Sequence, residues 1–283
     1  MRPLYPLKRV LVFTKERIGF GFRSAERNYN MFPYLDHDGH LPMYGILMVL
    51  GIGVSGLVLL LLKMHPEISK WDRVYGAGLT LVSALIGAKV FSILTSIDII
   101  IKYNLSFTDI IKNGFVFYGG LIGGVACLTV YCVAYKISLL KFLDLAAVAL
   151  PVGHAVGRIG CFCAGCCFGK PFDSIFSVIY TAPADPNTPT SVPLLPTQLF
   201  EAGYCLIIFA VLFIMSQKKH ADGLFCVTYI FAYSVCRFIN EFFRYDAARG
   251  FLWIFSTSQF ISLLLILTTA GIIALRRKRR RQS

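Results

Sequence analysis

Residues 157–169 bring one arginine, four cysteines and four glycines together at the end of an otherwise apolar segment. An arginine inside a membrane costs at least about 2.5–3.5 kcal/mol on insertion scales, so a chain that keeps one usually faces it to a polar cavity, an ion or a lipid headgroup. The segment therefore predicts a functional site. Its sequence is Gly157-Arg158-Ile159-Gly160-Cys161-Phe162-Cys163-Ala164-Gly165-Cys166-Cys167-Phe168-Gly169.

Other ionisable side chains also interrupt apolar segments, and each is a candidate functional residue. His154 lies four residues before Arg158, and Arg237 lies four residues before Glu241, so each pair shares a helix face. The helix face of Arg158 offers His154 and no carboxylate, which favours a functional role. Arg237 and Glu241 fit a structural salt bridge as well as a catalytic pair. We expect these residues to converge with the remaining members of the set, which are Lys89, Asp144, Glu201 and Arg244.

The composition is that of a membrane protein, because 56% of the residues are hydrophobic, only 15% are charged and the mean hydropathy is +0.66. A soluble domain carries about a quarter charged residues. Windows of about 20 apolar residues predict seven transmembrane helices in one all-α polytopic bundle without a separate soluble domain. The predicted spans are 42–62, 74–94, 115–135, 142–160, 198–215, 223–243 and 256–275.

The distribution of positive charge predicts the orientation of this bundle. The basic tail at 276–281 should be cytoplasmic under the positive-inside rule. Seven crossings then place the lysine-bearing hinges 63–70, 136–141 and 217–220 on the same side, and the loops 98–113 and 170–196 on the outer face. The net charge of +13 is thus explained by topology and anionic lipid, and not by nucleic acid. The outer helix ends would hold Tyr118, Arg158, Glu201, Arg237, Glu241 and Arg244.

Three regions follow from this division. Residues 1–30 are strongly basic, and their apolar run 10–13 is too short for a signal peptide. We interpret them as an N-terminal extension that is disordered or precedes the real start at Met31. Residues 31–275 would form the seven-helix domain with its outer loop 170–196, and residues 276–283 the cytoplasmic tail.

The nine cysteines fall into two groups. Five lie singly in predicted spans, where a lone cysteine behaves as a small apolar residue. The other four form the pattern C-x-C-x-x-C-C, which could hold a soft metal or form disulfides. We favour a tight turn of small residues, in which Gly160, Gly165 and Gly169 supply unusual backbone angles. No metal or cofactor is predicted.

A cationic pocket at lipid depth suits one class of ligand. Two guanidiniums bind a phosphodiester well because each planar fork matches phosphate oxygens in a bidentate way. A phospholipid headgroup is therefore the expected ligand of Arg158 and Arg237. If the bond between glycerol carbon and phosphate oxygen breaks, the same groups would stabilise the charge that develops on the departing phosphate.

Six short motifs follow one another at characteristic spacing along the chain. They are Tyr44-Gly45, Gly87-Ala88-Lys89, Tyr118-Gly119-Gly120-Leu121-Ile122-Gly123, Gly157-Arg158-Ile159-Gly160 with Gly169, Pro196-Thr197-Gln198-Leu199-Phe200-Glu201 and Arg237-Phe238-Ile239-Asn240-Glu241-Phe242-Phe243-Arg244. In their order and spacing, from Met31 to its C-terminus, the chain resembles the prolipoprotein diacylglyceryl transferases, seven-helix bacterial enzymes that move diacylglyceryl from phosphatidylglycerol to the sulfur of a lipobox cysteine. The resemblance implies a plasma-membrane enzyme whose partners are phosphatidylglycerol, prolipoprotein signal peptides and membrane lipid. The expected substrate-binding residues are Tyr44, Gly119, Gly120, Arg158, Glu201, Arg237, Glu241 and Arg244.

The departures from the family pattern lie where the chemistry should be. The family usually has His-Gly-Gly where this chain has Tyr118-Gly119-Gly120, and it usually reads Gly-Arg-x-Gly-Asn-Phe-x-Asn-x-Glu at the end of the fourth predicted span. This chain lacks both asparagines and the glutamate of the Gly-Arg-x-Gly pattern. It also lacks the histidine and the tyrosine of another family pattern, His-Pro-x-Gln-x-Tyr-Glu. We interpret the chain as a divergent branch that retains the phosphate-handling arginines. The replacing residues are Cys161, Ala164, Cys166, Leu195 and Phe200.

The reaction needs a base, because a thiol with an ordinary pKa of about 8.5 must become a thiolate before it attacks carbon. The candidates are His154 and Tyr118, acting with the catalytic arginines Arg158 and Arg237. Two other classes stay open. One is a lipid-modifying paralogue with a different acceptor, and the other is a membrane redox or metal protein built on the four clustered cysteines. A transporter is less favoured, because charge sits at helix ends instead of the bilayer midplane.

Overall fold

The computed structural model describes residues 28–29, 33–35, 41–104, 106–112, 114–245, 250–252 and 254–282, and most of them are helical. The helices are α1 Met43–Leu61, α2 Lys70–Thr95, α3 Ile97–Tyr103, α4 Phe107–Lys112, α5 Phe117–Ala134, α6 Leu139–Ala164, α7 Thr197–Met215, α8 Leu224–Glu241 and α9 Thr257–Gln282. Four two-residue strands accompany them: β1 Asn28–Tyr29, β2 Ile179–Tyr180, β3 Phe251–Leu252 and β4 Phe255–Ser256. β1 pairs parallel with β2, and β3 pairs antiparallel with β4. The all-α class is confirmed.

Within the described residues, six helices are long and apolar enough to cross a membrane, which confirms a polytopic membrane protein. They are α1, α2, α5, α6, α7 and the Thr257–Arg276 part of α9. The predicted span 223–243 is helix α8, which is not among the six. Its last two turns contain Arg237, Asn240 and Glu241, and these side chains lower its mean hydropathy. The seventh crossing is therefore not confirmed by length and composition.

Several predicted boundaries shift. Helix α6 continues past the predicted end at residue 160 to Ala164, so Cys161 and Cys163 belong to the helix. It stops at Gly165, whose φ of 77° is the left-handed conformation in which helices commonly end. The predicted loop 98–113 contains the short helices α3 and α4. The predicted extension 1–30 lies outside the described residues apart from strand β1, and its assignment stays a prediction.

Helix packing depends on glycines at two interfaces. A Cβ added to Gly51 of α1 would lie 2.7 Å from the carbonyl oxygen of Gly153 in α6. A Cβ added to Gly87 of α2 would lie 3.2 Å from Cα of Gly123 in α5. Small residues of this kind let membrane helices approach backbone to backbone, where apolar lipid gives no hydrophobic drive for helix association. These contacts fix where each helix end, and its polar side chains, can lie.

Helix α6 is the central helix of the bundle. It packs against α1, α7 and α8. In its apolar membrane-spanning stretch 44% of the residues are buried, a larger share than in any other of the six spans. Its face contributes Leu145 and Val148 to the core cluster, which also contains Leu212 of α7 and Phe225 of α8. A charged residue on the buried length of α6 therefore needs its partners from neighbouring helices.

The expectation that Asp144 converges with the other charged residues is wrong. Asp144 lies near the start of α6, 14 residues before Arg158, a separation of about 21 Å along the helix. Its buried carboxylate accepts hydrogen bonds from the backbone nitrogens of Gly223 at 2.6 Å and Cys226 at 2.9 Å. Asp144 therefore caps the N-terminus of α8, where a carboxylate satisfies free N–H groups and the helix dipole.

A second buried charge, Arg73, stabilises this same end. Only 4% of Arg73 is exposed, and its guanidinium donates to five backbone carbonyls of the connection between α1 and α2, those of Leu59, Leu62, Met64, His65 and Ile68. These bonds satisfy carbonyls that the end of α1 leaves without helical partners. Arg73 thus has a folding role at the end of the bundle where Asp144 caps α8.

Candidate active site

Glu201 is the point at which the buried charges meet. It lies in the second turn of α7, and only 2% of it is exposed. Its Oε1 is 3.2 Å from Nη2 of Arg158 on α6, and its Oε2 is 3.6 Å from Nη1 of Arg237 on α8. The hydroxyl of Tyr233 donates to Oε1 at 2.9 Å. Three helices therefore converge on one carboxylate, and the carboxylate that the face of Arg158 lacks comes from α7.

Arg237 extends this cluster toward α9. Its Nη2 lies 2.9 Å from Oε2 of Glu241, so these i,i+4 neighbours form an ion pair, as one of the two interpretations of their spacing requires. The same nitrogen donates to Oγ of Ser258, at 3.3 Å, in the first turn of α9. Nη1 of Arg237 is buried and makes no hydrogen bond within the described part of the chain. Its nearest charged partner is Oε2 of Glu201, at the ion-pair distance of 3.6 Å.

His154 contacts both Arg158 and Glu201. Nε of Arg158 donates to Nε2 of His154 at 3.2 Å, and that ring nitrogen is 3.6 Å from Oε1 of Glu201. Because Nε2 accepts from a guanidinium, the proton of the neutral ring lies on Nδ1. The ring centroid is 5.3 Å from that of Tyr233. His154 therefore orients Arg158 through Nε2. The same nitrogen would have to accept the proton if His154 acted as the base.

The predicted site residues of α5 separate into two groups. Tyr118 is 37% exposed and close enough to Arg237 and Glu241 for electrostatic interaction. Gly119 and Gly120 instead face α2. A Cβ on Gly120 would lie 3.1 Å from the carbonyl oxygen of Ala84. The structure thus gives the two glycines a packing role, and their part in substrate binding stays a prediction.

Tyr44 and Lys89 lie beside the cluster. Tyr44, in the first turn of α1, is 41% exposed, packs against Gly160 and is within electrostatic range of Arg158. Nζ of Lys89 lies 5.1 Å from the centroid of the Phe115 ring, a cation–π geometry. Tyr44 therefore joins the predicted site, whereas Lys89 of α2 contacts Phe115, which precedes α5.

Arg244 is brought in by the loop that follows α6. It is 7% exposed, and its backbone forms a bridge with Gly169. A Cβ on Gly169 would lie 2.8 Å from both Cβ and the carbonyl oxygen of Leu195 and equally close to the carbonyl oxygen of Phe243. Three segments therefore meet at Gly169, and only glycine fits between them. The side chain of Arg244 is within electrostatic range of Cys167.

The turn at 165–169 does not have the predicted backbone angles throughout. Among the glycines named, Gly165 has a positive φ of 77°, whereas Gly160 is helical and Gly169 serves close packing. The second left-handed residue is Cys167, with φ of 60°. The sulfurs of Cys161, Cys166 and Cys167 lie within 4.8 Å of one another. The expectation of unusual angles is thus right for Gly165 alone.

The three thiols influence one another. The pKa of Cys167 is lowered because Cys161 and Cys166 donate hydrogen bonds to its sulfur, and the positive charge of Arg244 acts in the same direction. The pKa of Cys166 is raised by hydrogen bonding with the thiols of Cys161 and Cys167 and by burial, and its Sγ also donates to the carbonyl oxygen of Cys161 at 3.7 Å. Hydrogen bonding within the cluster and the nearby arginines therefore favour a thiolate at Cys167.

Sequence reasoning missed the neutral side chains that hold this arrangement together. Tyr233 precedes Arg237 by four residues on α8, so helical spacing from the arginine could have pointed to it. Gln198 donates from Nε2 to the carbonyl oxygen of Cys166 at 2.5 Å, and Oγ1 of Thr197 donates to that of Cys167 at 2.8 Å. These contacts join segments distant in the chain, and no spacing rule signals them.

Comparison with known proteins identifies the family. The family model for prolipoprotein diacylglyceryl transferase matches residues 35–275. A Clostridium perfringens protein named phosphatidylglycerol–prolipoprotein diacylglyceryl transferase 2 is 34% identical over 230 residues, 80% of this chain and 88% of that protein. A Clostridium tetani protein named phosphatidylglycerol–prolipoprotein diacylglyceryl transferase is 34% identical over 84% of this chain and 94% of that protein. A Dehalococcoides mccartyi protein of the same name is 31% identical over 85% of this chain and 91% of that protein. The chain belongs to the prolipoprotein diacylglyceryl transferase family.

Proposed function

We propose that this protein transfers the diacylglyceryl group of phosphatidylglycerol to the thiol of a prolipoprotein lipobox cysteine. A carbon–sulfur bond forms, the bond between the glycerol carbon and the phosphate oxygen breaks, the thiol proton is lost and glycerol phosphate leaves. The names of the relatives support the reaction. The single observation that carries it is the meeting of Arg158 and Arg237 at Glu201.

The charge of the cluster suits one phosphodiester. Arg158, Arg237 and Arg244 carry three positive charges, and Glu201 and Glu241 carry two negative charges, so one positive charge remains for a headgroup phosphate with one negative charge. The side chains of Arg158 and Arg237 are 19% and 11% exposed, so neither is fully enclosed by the protein. Ion pairs formed in such buried surroundings are stronger than in water.

The same charges favour bond breaking over binding alone. When the glycerol carbon–oxygen bond breaks, the departing phosphate gains negative charge, and fixed guanidiniums stabilise that charge without having to reorient. Glu201 holds Arg158 and Arg237 in position before substrate arrives. We therefore assign phosphate stabilisation to the two arginines and positioning to Glu201.

The geometry favours Tyr118 over His154 as the group that relays the thiol proton. His154 uses Nε2 to accept from Arg158, so taking a proton there would break the bond that orients the arginine. Tyr118 is partly exposed and lies beside Arg237, where it can donate its proton while accepting that of the thiol. In this proposal Tyr118 contacts substrate and His154 positions Arg158.

The position of α8 supports the seventh crossing. Its N-terminus is capped by Asp144 at the start of α6, and its last residue, Glu241, pairs with Arg237 in the charged cluster. Helix α8 therefore runs the length of the bundle between the two ends of α6. With the basic tail cytoplasmic by the positive-inside rule, the charged cluster would face the outer side of the bacterial plasma membrane.

The test is transfer from phosphatidylglycerol to a synthetic lipobox peptide, followed by the mass of the peptide. We expect Arg158→Ala and Arg158→Lys to lower the rate at least about 100-fold, as loss of an oxyanion donor does. Lys218→Ala, an exposed cation at the other end of the bundle, should keep wild-type transfer. Full transfer by Arg158→Ala would refute the role of Arg158. Consumption of phosphatidylglycerol without modification of the peptide would instead indicate a different acceptor.

A further inference from the structure

The thiol cluster at the end of α6 is not used by the proposed reaction. Cys161 lies in the last turn of α6, and Cys166 and Cys167 follow the helix end at Gly165. Their three sulfurs lie within 4.8 Å of one another. Thiolates on a tetrahedral zinc ion, with bonds of about 2.3 Å, are separated by about 3.8 Å. Small side-chain rotations would therefore bring all three sulfurs to one metal ion.

The turn that carries the sulfurs is fixed by hydrogen bonds from other segments. Thr188 donates to the carbonyl oxygen of Gly165 at 2.8 Å, Gln198 to that of Cys166 and Thr197 to that of Cys167. The backbone nitrogen of Cys166 also donates to the carbonyl oxygen of Cys161 at 3.2 Å. These bonds occupy the backbone and leave the three side chains gathered together. Preorganisation of this kind lowers the entropic cost of binding an ion.

We propose that Cys161, Cys166 and Cys167 bind one soft, thiophilic metal ion of the zinc(II) or copper(I) type. Soft thiolate ligands select these ions over magnesium, calcium and manganese. On binding, the three thiols lose three protons to solvent, and three metal–sulfur bonds form without any change of oxidation state. The metal site does not take part in the proposed transferase chemistry, although it lies within electrostatic range of Arg158.

The charges around the cluster fit a bound ion. Zinc(II) with three thiolates carries one negative charge and copper(I) carries two, and a buried negative charge needs positive neighbours. Arg158 and Arg244 are both within electrostatic range of Cys167. The site is partly buried, because Cys161 is 9% exposed while Cys166 and Cys167 are of intermediate exposure, so an ion can enter from the loop side.

Cys163 provides a matched control within the same run. It is also partly buried and free, but it does not belong to the group of three sulfurs. A Cys163→Ser change therefore removes a thiol from the same turn without removing a ligand. Cys166→Ser and Cys167→Ser each remove a ligand with the same change in size and polarity.

The experiment loads the purified full-length protein, reduced and without oxygen, with zinc(II) or copper(I), removes unbound metal, and measures metal per chain. We expect about one ion per chain for wild type and for Cys163→Ser. Cys166→Ser and Cys167→Ser should bind the ion at least about 100-fold more weakly, because losing a metal ligand lowers affinity more than the roughly 10–100-fold that losing an outer-shell partner costs. Binding that is unchanged in Cys166→Ser and Cys167→Ser, or absent from wild type, would overturn the site.

Alkylation of wild type keeps the proposal testable if a variant fails to fold. The metal-loaded protein is treated with a thiol reagent before and after a chelator removes the ion, and the labelled residues are mapped by mass spectrometry. Chelation should increase the labelling of Cys166 and Cys167, the two thiols of intermediate exposure. Equal labelling with and without metal would overturn the proposal, as would an isolated disulfide between any two of the three that persists in reductant.

Discussion

Replacing Glu201 by glutamine tests whether this carboxylate holds the site together. The change keeps the shape of the side chain and removes its charge, so Arg158 and Arg237 lose the counterion that they share. Glu241 would then be the remaining carboxylate paired with Arg237. The cluster changes from one net positive charge to two, and we expect the protein to lose stability and to gain affinity for anionic headgroups.

The size of the loss follows from the distances. At an effective dielectric constant of about 20, unit charges 3.2 Å or 3.6 Å apart attract by about 5 kcal/mol. The cost of desolvating Glu201 offsets part of this attraction. Breaking a buried ion pair by removing one partner costs about 3–5 kcal/mol in practice. For a chain of this size class, where 1 kcal/mol shifts the midpoint by about 2–4 °C, we expect a fall of roughly 10 °C.

The assay is thermal unfolding in a neutral detergent, with and without added phosphatidylglycerol. Glu67→Gln is the matched control, because Glu67 forms an ion pair with Lys141 at 2.6 Å but is 48% exposed, and exposed pairs contribute about 0–1 kcal/mol. Phosphatidylglycerol should raise the midpoint of Glu201→Gln more than that of wild type, and zwitterionic phosphatidylcholine should not. A Glu201→Gln midpoint equal to that of Glu67→Gln would refute the assignment of Glu201 as the shared counterion.

Three other substitutions separate folding from chemistry. In Gly119→Ala the new methyl group would overlap the backbone carbonyl of Gly87, and we expect a loss of about 1–3 kcal/mol in the same thermal scan; an unchanged midpoint would contradict this packing role. Arg73→Lys removes most of five hydrogen bonds and should cost about 3 kcal/mol or more, while transfer per folded molecule stays at the wild-type rate. Gly169→Ala would press against Leu195 and displace the loop, so we expect at least about tenfold slower transfer to the lipobox peptide; wild-type transfer would show that the loop tolerates the change.

The sequence was sufficient for the class of protein, the family and the two principal arginines. A low share of charged residues identifies a membrane protein, because water-soluble domains need more polar surface. Arg158 and Arg237 stand out because a charge in an apolar segment is costly and needs a partner or a function. The ion pair between Arg237 and Glu241 was also predictable, since i,i+4 neighbours on one helix are always close.

The tertiary structure alone decided which groups from different helices meet. Arg158 and Arg237 share Glu201, whereas Asp144, on the same helix as Arg158, caps α8 at the opposite end. Helical spacing fixes neighbours along one helix, but the rotation and crossing of separate helices depend on packing contacts such as those between Gly51 and Gly153. For the same reason the sequence shows four nearby cysteines, and only the folded turn shows which three sulfurs lie together.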